Sequence, residues 1–435
     1  MKTGSILGWL TWRAYATCMT LATPLWHAVL RRRLARGKES PASLAQKTMR
    51  HPAPRPSQPV VWGHAVGVGE ARALAGLFTH LAAALPGVHF LLTTQSVGAQ
   101  AALGSNDLPH ASTVQAAPLD TPATVQAFLR HWQPALALWC ELDLWPNLVM
   151  GTAMRGVPMW LVNARLYPQS LHKRRWARAL YGHMLGQFAA VYAQNVSTRE
   201  GLLALGAPPA RTHLGGNLKA LAPPPGADPH RLGAWQQALG GRPLWLMVSA
   251  HEGEFALAAK AHAALLVSHP QALLLLMPRF PSQATSAQRA LQLCGVAATL
   301  SQSVPPHAVA QQQALVIDAW GEVGLWGRLA RVAAVGGSWV NLGGHNPYEP
   351  LALGCHLLHG PHVHNFAEDY AALLPTQHSQ CVNTAAELAH AVAATWTAPS
   401  TAPTWVAAAG PAQAMLQALQ QAAINATRRP ASRPV

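Results

Sequence analysis

Short apolar runs alternate along the chain with longer Ala/Leu-rich stretches of helical character. Runs at 60–66, 89–94, 135–140, 159–163, 191–194 and 212–214 are predicted as strands. A break rich in Pro and Gly follows at 221–229, reading LAPPPGADP. A second series then runs through 244–249, 272–277, 315–317, 332–335 and 356–359. Strand–helix alternation twice over predicts an α/β protein with two doubly wound, Rossmann-like domains. Two such domains facing a cleft would hold the site there, beyond the carboxyl ends of the strands.

The ends of the chain carry a different pattern. Residues 4–30 are apolar apart from Arg13, and the uncharged run 14–30 sits at the lower length limit for crossing a bilayer. Trp9, Trp12, Tyr15 and Trp26 are interfacial residue types, and Arg31, Arg32, Arg33, Arg36 and Lys38 follow at once. A cleaved signal peptide would carry its charges before the apolar run. The pattern instead predicts a membrane anchor, either a spanning helix or an in-plane amphipathic one interrupted by Arg13. Five prolines in 40–59 predict a linker. The domain expectations are therefore an anchor and basic flank at 1–40, a first domain at 41–220, a linker at 221–235, a second domain at 236–427 and a tail at 428–435.

Charge sharpens this division. The chain has 435 residues and a net charge of +15, but residues 1–56 alone carry ten basic residues against one acid, Glu39. The excess is mostly terminal, which suits an anionic membrane surface better than nucleic acid. The scarce acids, 16 in all, make each location informative. The five cysteines have no CxxC or zinc-like spacing and read as buried thiols in a reducing compartment. His359, His362 and His364 cluster in sequence, but without a carboxylate partner or a helical i, i+4 pair no metal site is predicted.

Chemistry concentrates at the predicted strand ends. Gly67, Val68 and Gly69 precede Glu70, which opens a helix as either a general base or a helix-start charge. Glu141 and Asp143 end an apolar strand, and a period of two would put both on one side. Buried carboxylates need partners, for which Arg165 and Lys219 are candidates; a structural ion pair is the competing reading. In the second half, SAHEGE at 249–254, Pro278–Arg279, Asp318 to Val323, the Gly336–Ser338 amides and the Gly-rich loop 343–350 occupy successive strand ends. An Arg, an amide nest able to cradle a phosphate and a carboxylate for ribose hydroxyls together predict a nucleotide site. Lys173, Arg174, Arg175 and Arg178 predict contacts to acceptor or lipid head-group phosphates, against a plain solvated basic face.

The segments WGHAVGVGE, LLTTQSVGAQ, CELDLWPN, VNARL, GGNLK, SAHEGE, MPRFP, GEVG, VGGSWVNLGGHNPYEP and GPHVHNF together resemble the bacterial 3-deoxy-D-manno-octulosonic acid (Kdo) transferases of the GT-B fold, in register from about 60 to 373. The resemblance implies transfer of Kdo from CMP-Kdo onto a lipid A precursor, lipid IVA, at the cytoplasmic face of the inner membrane. Glu70 then matches the catalytic base, and Glu141 and Lys219 match transition-state stabilisers. Pro278, Arg279, Gly321, Glu322, Val323, Asn346, Pro347, Tyr348 and Glu349 match CMP-binding segments, beside the candidate amides of Gly337 and Ser338. The chain departs from the family at Gly67, where Ser is usual, at Phe280, where His is usual, and at Phe255, where a second acid is usual.

The implied reaction is inverting and needs no metal or cofactor, since CMP is already a good leaving group. A membrane-associated GT-B enzyme using a UDP-sugar is the nearest alternative. A nucleotide-sugar epimerase shares the architecture but has no need of residues 4–38. A non-catalytic membrane adaptor has no reason to keep acids at successive strand ends.

Overall fold

The computed structural model describes residues 6–101, 103–104, 108–166, 168–221, 224–374, 378–397 and 410–428. The chain divides into two units, Met1–Ala222 with Ala409–Val435, and Pro223–Ala408. The first holds β1 (Val60–Ala65), β2 (His89–Thr94), β3 (Ser112–Ala116), β4 (Leu136–Cys140), β5 (Met159–Ala164), β6 (Ala190–Ala193) and β7 (Thr212–Leu214). They form one parallel sheet in the order β3-β2-β1-β4-β5-β6-β7. The pleat assigns side chains to two cores. Trp62 and Trp139 meet edge to face at 4.9 Å on one side, while Val61, Leu136 and Leu138 face Phe78 and Phe90 on the other.

The second unit holds β8 (Leu244–Ala250), β9 (Leu273–Pro278), β10 (Ala298–Leu300), β11 (Ala314–Val316), β12 (Val332–Val335), β13 (His356–His359) and β14 (Ser379–Cys381). Its parallel sheet runs β10-β11-β9-β8-β12-β13-β14. Trp245 and Met247 face one core, and Leu244, Leu246 and Val248 the other. Strand order reverses between β1 and β4 in one sheet and between β8 and β12 in the other. These are the places where an open α/β sheet leaves a crevice for ligands.

Cys18 and Cys381, expected to be buried, are exposed, and four expectations about the layout of the chain change. The anchor segment expected at 4–30, spanning or in-plane, is two helices, Ile6–Leu21 and Thr23–Ala35, parted at Ala22 because Pro24 lies in the first turn of the second and supplies no N–H. Among the described residues no helix is long and apolar enough to cross a membrane. The helix Ile6–Leu21 packs instead on the first unit. Trp12 is buried and donates to Asn147 Oδ1 at 3.2 Å, and the Tyr15 hydroxyl donates to Asp120 at 2.9 Å.

The segment 40–59 is not merely a linker. Pro41–Lys47 is a helix, with Ser40 and Ser43 in a reciprocal cap and Pro41 in the first turn, where a missing N–H costs nothing. Lys47 is buried against Glu39 at 2.6 Å and donates to the Gln95 carbonyl at 3.0 Å. The linker expected over 221–235 gives way to a helix at Pro229, capped by Asp228. Finally, the helix Gly410–Thr427 leaves the second domain to which it was assigned. Ala412, Met415, Leu416, Leu419 and Ala423 complete a core of the first unit.

Candidate active site

In the first unit the carboxyl ends of β1 and β4, adjacent at the strand-order reversal, each deliver an acid. Glu70 sits in the first turn of the helix Val68–Ala84 and reaches back over its start. Its Oε2 accepts the Val66 and Gly67 N–H groups at 2.6 and 3.1 Å. Glu141 follows β4 directly with φ +63°, left-handed for a non-glycine residue. Such a conformation costs of order 1–3 kcal/mol and persists where surroundings impose it. Here Glu141 N–H donates to the Val162 carbonyl at 3.1 Å.

A cavity of about 110 Å³ joins these groups, lined by Gly69, Glu70, Glu141, Asn163, Arg165, Gln194, Asn217 and Lys219. Burial, and then the nearby Glu70 charge, push the Glu141 carboxyl up to about 7, against the pull of Arg165 and Lys219. The cavity therefore sets two acids beside two cations. Asn163, also left-handed at φ +55°, positions the wall. Its Oδ1 accepts the Leu218 N–H at 3.0 Å, next to Lys219, and Gln194 donates to its carbonyl at 3.1 Å.

Asp143 does not share this wall with Glu141. The turn at Glu141 ends the period of two, and Asp143 accepts from Trp145 Nε1 at 2.8 Å and feels Arg174 instead. Asp120 serves the structure. It is buried, accepts the Asn147 and Leu148 N–H groups at 3.1 and 2.7 Å, and fixes the helix that follows the Glu141 loop. Burial pushes its carboxyl up to about 7. No local pattern marks it, since its partners come from two distant segments.

In the second unit Arg279 leaves β9 with its N–H on the Ala250 carbonyl at 2.7 Å. Gly337 and Ser338 follow β12, but their amides are taken. Glu254 is fully buried, and its carboxylate accepts Gly337 N–H at 2.8 Å, Ser338 N–H at 3.1 Å, Trp339 N–H at 3.0 Å and His251 N–H at 2.9 Å. The expected phosphate cradle is filled by the chain's own acid, and Gly337 and Ser338 drop out as amide donors to a nucleotide. Gly337 keeps a packing role. Its φ is +68°, and a Cβ there would lie 2.9 Å from the His345 ring.

Asn346 organises the next loop, accepting the Tyr348 N–H at 3.1 Å and donating to Glu349 at 3.2 Å. Pro347 precedes the short helix Tyr348–Ala352, and the Tyr348 hydroxyl donates to Asp369. Glu349 is exposed. Gly321 turns the chain at φ +79° before Glu322 and Val323. Glu322 binds Arg231 with both oxygens, at 2.9 and 3.0 Å. Pro278 ends β9, and the exposed Phe280 lies edge-on to both His251 and Trp320.

Lys173, Arg175 and Arg178 are exposed around Trp176, which is 88% accessible, while Arg174 stacks on and donates to Tyr181 at 3.1 Å. His359 is buried against Tyr370 with Nδ1 on its neighbour's carbonyl, and among the described residues no group of three or more His, Cys, Asp or Glu could hold a metal ion.

Residues 30–222 match the family described as 3-deoxy-D-manno-octulosonic-acid transferase (kdotransferase). The chain is 33% identical over 361 residues to the 3-deoxy-D-manno-octulosonic acid transferase of Bordetella pertussis, covering 80% of this chain and 82% of that one. It is 30% identical over 332 residues to the Haemophilus influenzae enzyme of the same name, covering 74% and 76%. A UDP-GlcNAc 2-epimerase structure from Neisseria meningitidis superposes with a TM-score of 0.55 at 11% identity, over 84% of this chain and all of that one. That likeness supports the GT-B type of fold and leaves the chemistry open. The sequence relatives decide the chemistry: the chain belongs to the 3-deoxy-D-manno-octulosonic acid transferases and is a glycosyltransferase.

Proposed function

We propose that the chain transfers Kdo from CMP-Kdo to the primary hydroxyl of a glucosamine in the lipid A precursor, lipid IVA, with inversion. The observation that carries this reading is the pairing of Glu70 and Glu141 with Arg165 and Lys219 in one cavity at the β1/β4 reversal. Glu70, held by two backbone N–H groups, takes the hydroxyl proton as the oxygen forms its bond to the anomeric carbon. The bond from that carbon to the phosphate oxygen breaks, and its electron pair leaves with CMP. Glu141 faces the positive charge that develops on the sugar ring, and Lys219 and Arg165 face the Kdo carboxylate or departing phosphate. Arg279, with the loops carrying Gly321 to Val323 and Asn346 to Glu349, holds the nucleotide. No step calls for a metal, because a phosphate ester leaves without one.

Incubation of the purified protein with CMP-Kdo and lipid IVA, followed by mass spectrometry, tests this directly. The expected product is heavier by whole Kdo residues. A product formed only from UDP-sugars would transfer the assignment to the alternative donor.

A carboxyl near 7 predicts a pH signature. Glu141 must be ionised to stabilise positive charge, so kcat/KM should rise through an apparent pKa near 7 as pH increases. Glu70 and Glu141 interact, so this value belongs to the pair. In Glu141→Gln that limb should vanish and the remaining activity should be lower; an unchanged limb would remove Glu141 from this role.

The acceptor lies in a bilayer, and the first unit offers a surface for one. Ile6, Leu7, Leu10 and Leu21 are exposed on the first helix, and Trp176 among Lys173, Arg175 and Arg178. We assign these to the anionic cytoplasmic face of the inner membrane, as a peripheral contact. Each basic residue near such a surface contributes about 1 kcal/mol. Reversing Lys173, Arg175 and Arg178 to Glu should weaken binding to phosphatidylglycerol vesicles by at least about tenfold. Equal binding in a sedimentation assay would make this face ordinary solvated surface.

A further inference from the structure

Two histidines beside Arg279 are unexplained by the roles assigned so far. His251 follows β8 and His345 lies in the loop after β12, at the strand-order reversal of the second sheet. Their Nε2 atoms are 2.7 Å apart, and the rings are 12° from parallel with centroids 5.0 Å apart. Only one proton fits between two nitrogens at that distance. In the neutral pair one Nε2–H donates, and that ring's Nδ1 is bare; the other ring accepts and carries its proton on Nδ1. One more proton, added at the bare Nδ1, leaves the bridge intact. A further one would set two N–H groups against each other. The pair is built to gain a single proton.

The surroundings hold this geometry. Glu254 accepts the backbone N–H of both His251 and Gly337, and Gly337 has no Cβ to displace the His345 ring. Arg279 acts on both rings, Phe280 lies edge-on to His251, and the Tyr370 hydroxyl reaches the His345 carbonyl at 3.4 Å. Glu349 lies in the first turn of the helix that follows the His345 loop, and His364 packs at Gly343. Burial holds both histidines below their usual range, His345 at about 4, where His251 and then Arg279 add to it; at His251 the Glu254 charge opposes burial and Arg279 adds to it. The empty pair is therefore neutral at pH 7, and an arriving anion offsets what keeps it so.

We propose that His251 and His345 act as one proton-sharing unit beside Arg279 that gains a proton when a phosphate monoester binds. This rests on the CMP-sugar reading and deepens it. In the donor, phosphate is a diester with one negative charge. When the bond to the sugar breaks, the electron pair stays on the phosphate oxygen and a second charge develops. A proton drawn from solvent onto the pair matches that charge and keeps CMP from leaving as an uncompensated dianion.

Calorimetry of the full chain with CMP at pH 7.5, in buffers of different ionisation heat, reads the proton directly. A monoester is almost wholly dianionic there, its second pKa being about 6. Net uptake by the wild type supports the proposal. Loss of uptake in H251N and H345N, with CMP affinity roughly tenfold lower at pH 6.5 and converging with wild type by pH 9, supports it further. CMP binding to wild type with no uptake overturns it, whether or not the variants fold. Equal uptake with the monoanionic methyl ester of CMP also overturns it, since no second charge is then involved. Failure of CMP to bind while UMP binds with proton uptake overturns the donor reading and leaves the histidine pair standing.

Discussion

Replacing Glu70 by Gln should lower kcat by about 10²–10⁴ while leaving CMP affinity nearly unchanged. The substitution separates chemistry from structure. A Gln carbonyl can still accept the Val66 and Gly67 N–H groups, so the start of the helix Val68–Ala84 survives. An Ala at the same place would lose both bonds and confound the rate with helix fraying. What Gln cannot do is take a proton from the acceptor hydroxyl. Single-turnover kinetics with CMP-Kdo and lipid IVA, beside calorimetric CMP binding, measure the two quantities independently. Wild-type turnover in a folded Glu70→Gln protein would sink the general-base role and leave Glu70 as a helix-start charge.

The second large effect concerns stability. Glu254→Ala should destabilise the second unit by about 3–5 kcal/mol, because it strands buried donors that the carboxylate now satisfies. Four amides, from His251, Gly337, Ser338 and Trp339, converge on its two oxygens. They join the start of the helix Glu252–Ser268 to the loop after β12. Glu254→Gln should cost less, since one oxygen remains to accept while the amide NH₂ opposes the other donors. Urea unfolding monitored through Trp245 and Trp326, both buried in this unit, would register the loss. A change under about 1 kcal/mol for the Ala variant would mean that the amides find other acceptors.

How much could be read from residues alone differs by location. Central strands such as Leu136–Cys140 and Leu273–Pro278 were legible because both faces are buried and the runs are apolar throughout. Three strands were missed: Ser112–Ala116, Ala298–Leu300 and Ser379–Cys381. Each is short, partly polar and at an edge of its sheet, where one side makes no ladder and apolar patterning fades. The 40–59 segment misled because proline was read as a breaker, whereas Pro41 opens a helix. The apolar length of 14–30 misled because it ignores Pro24.

The candidate site divides the same way. Glu70 and Glu141 were legible because acids are scarce and both follow apolar runs. Asp143 was wrongly paired with Glu141, since nothing local announces a left-handed residue at 141. The occupant of the amide nest was hidden for another reason. SAHEGE reads as a helix start, and its Glu254 meets Gly337 and Ser338 only when β8 and β12 become neighbours. Long-range pairing of this kind leaves no trace in spacing.

The return of the helix Gly410–Thr427 to the first unit has a consequence for biosynthesis. The second unit is, in chain order, an insertion within the first. On the ribosome, residues 224–397 emerge whole and can close their own two cores. The first unit, begun earlier, must wait with one of its cores incomplete until Ala412, Met415, Leu416, Leu419 and Ala423 are made. The half of the molecule synthesised first is thus finished last, and during that interval its exposed apolar face is the part most in need of a chaperone.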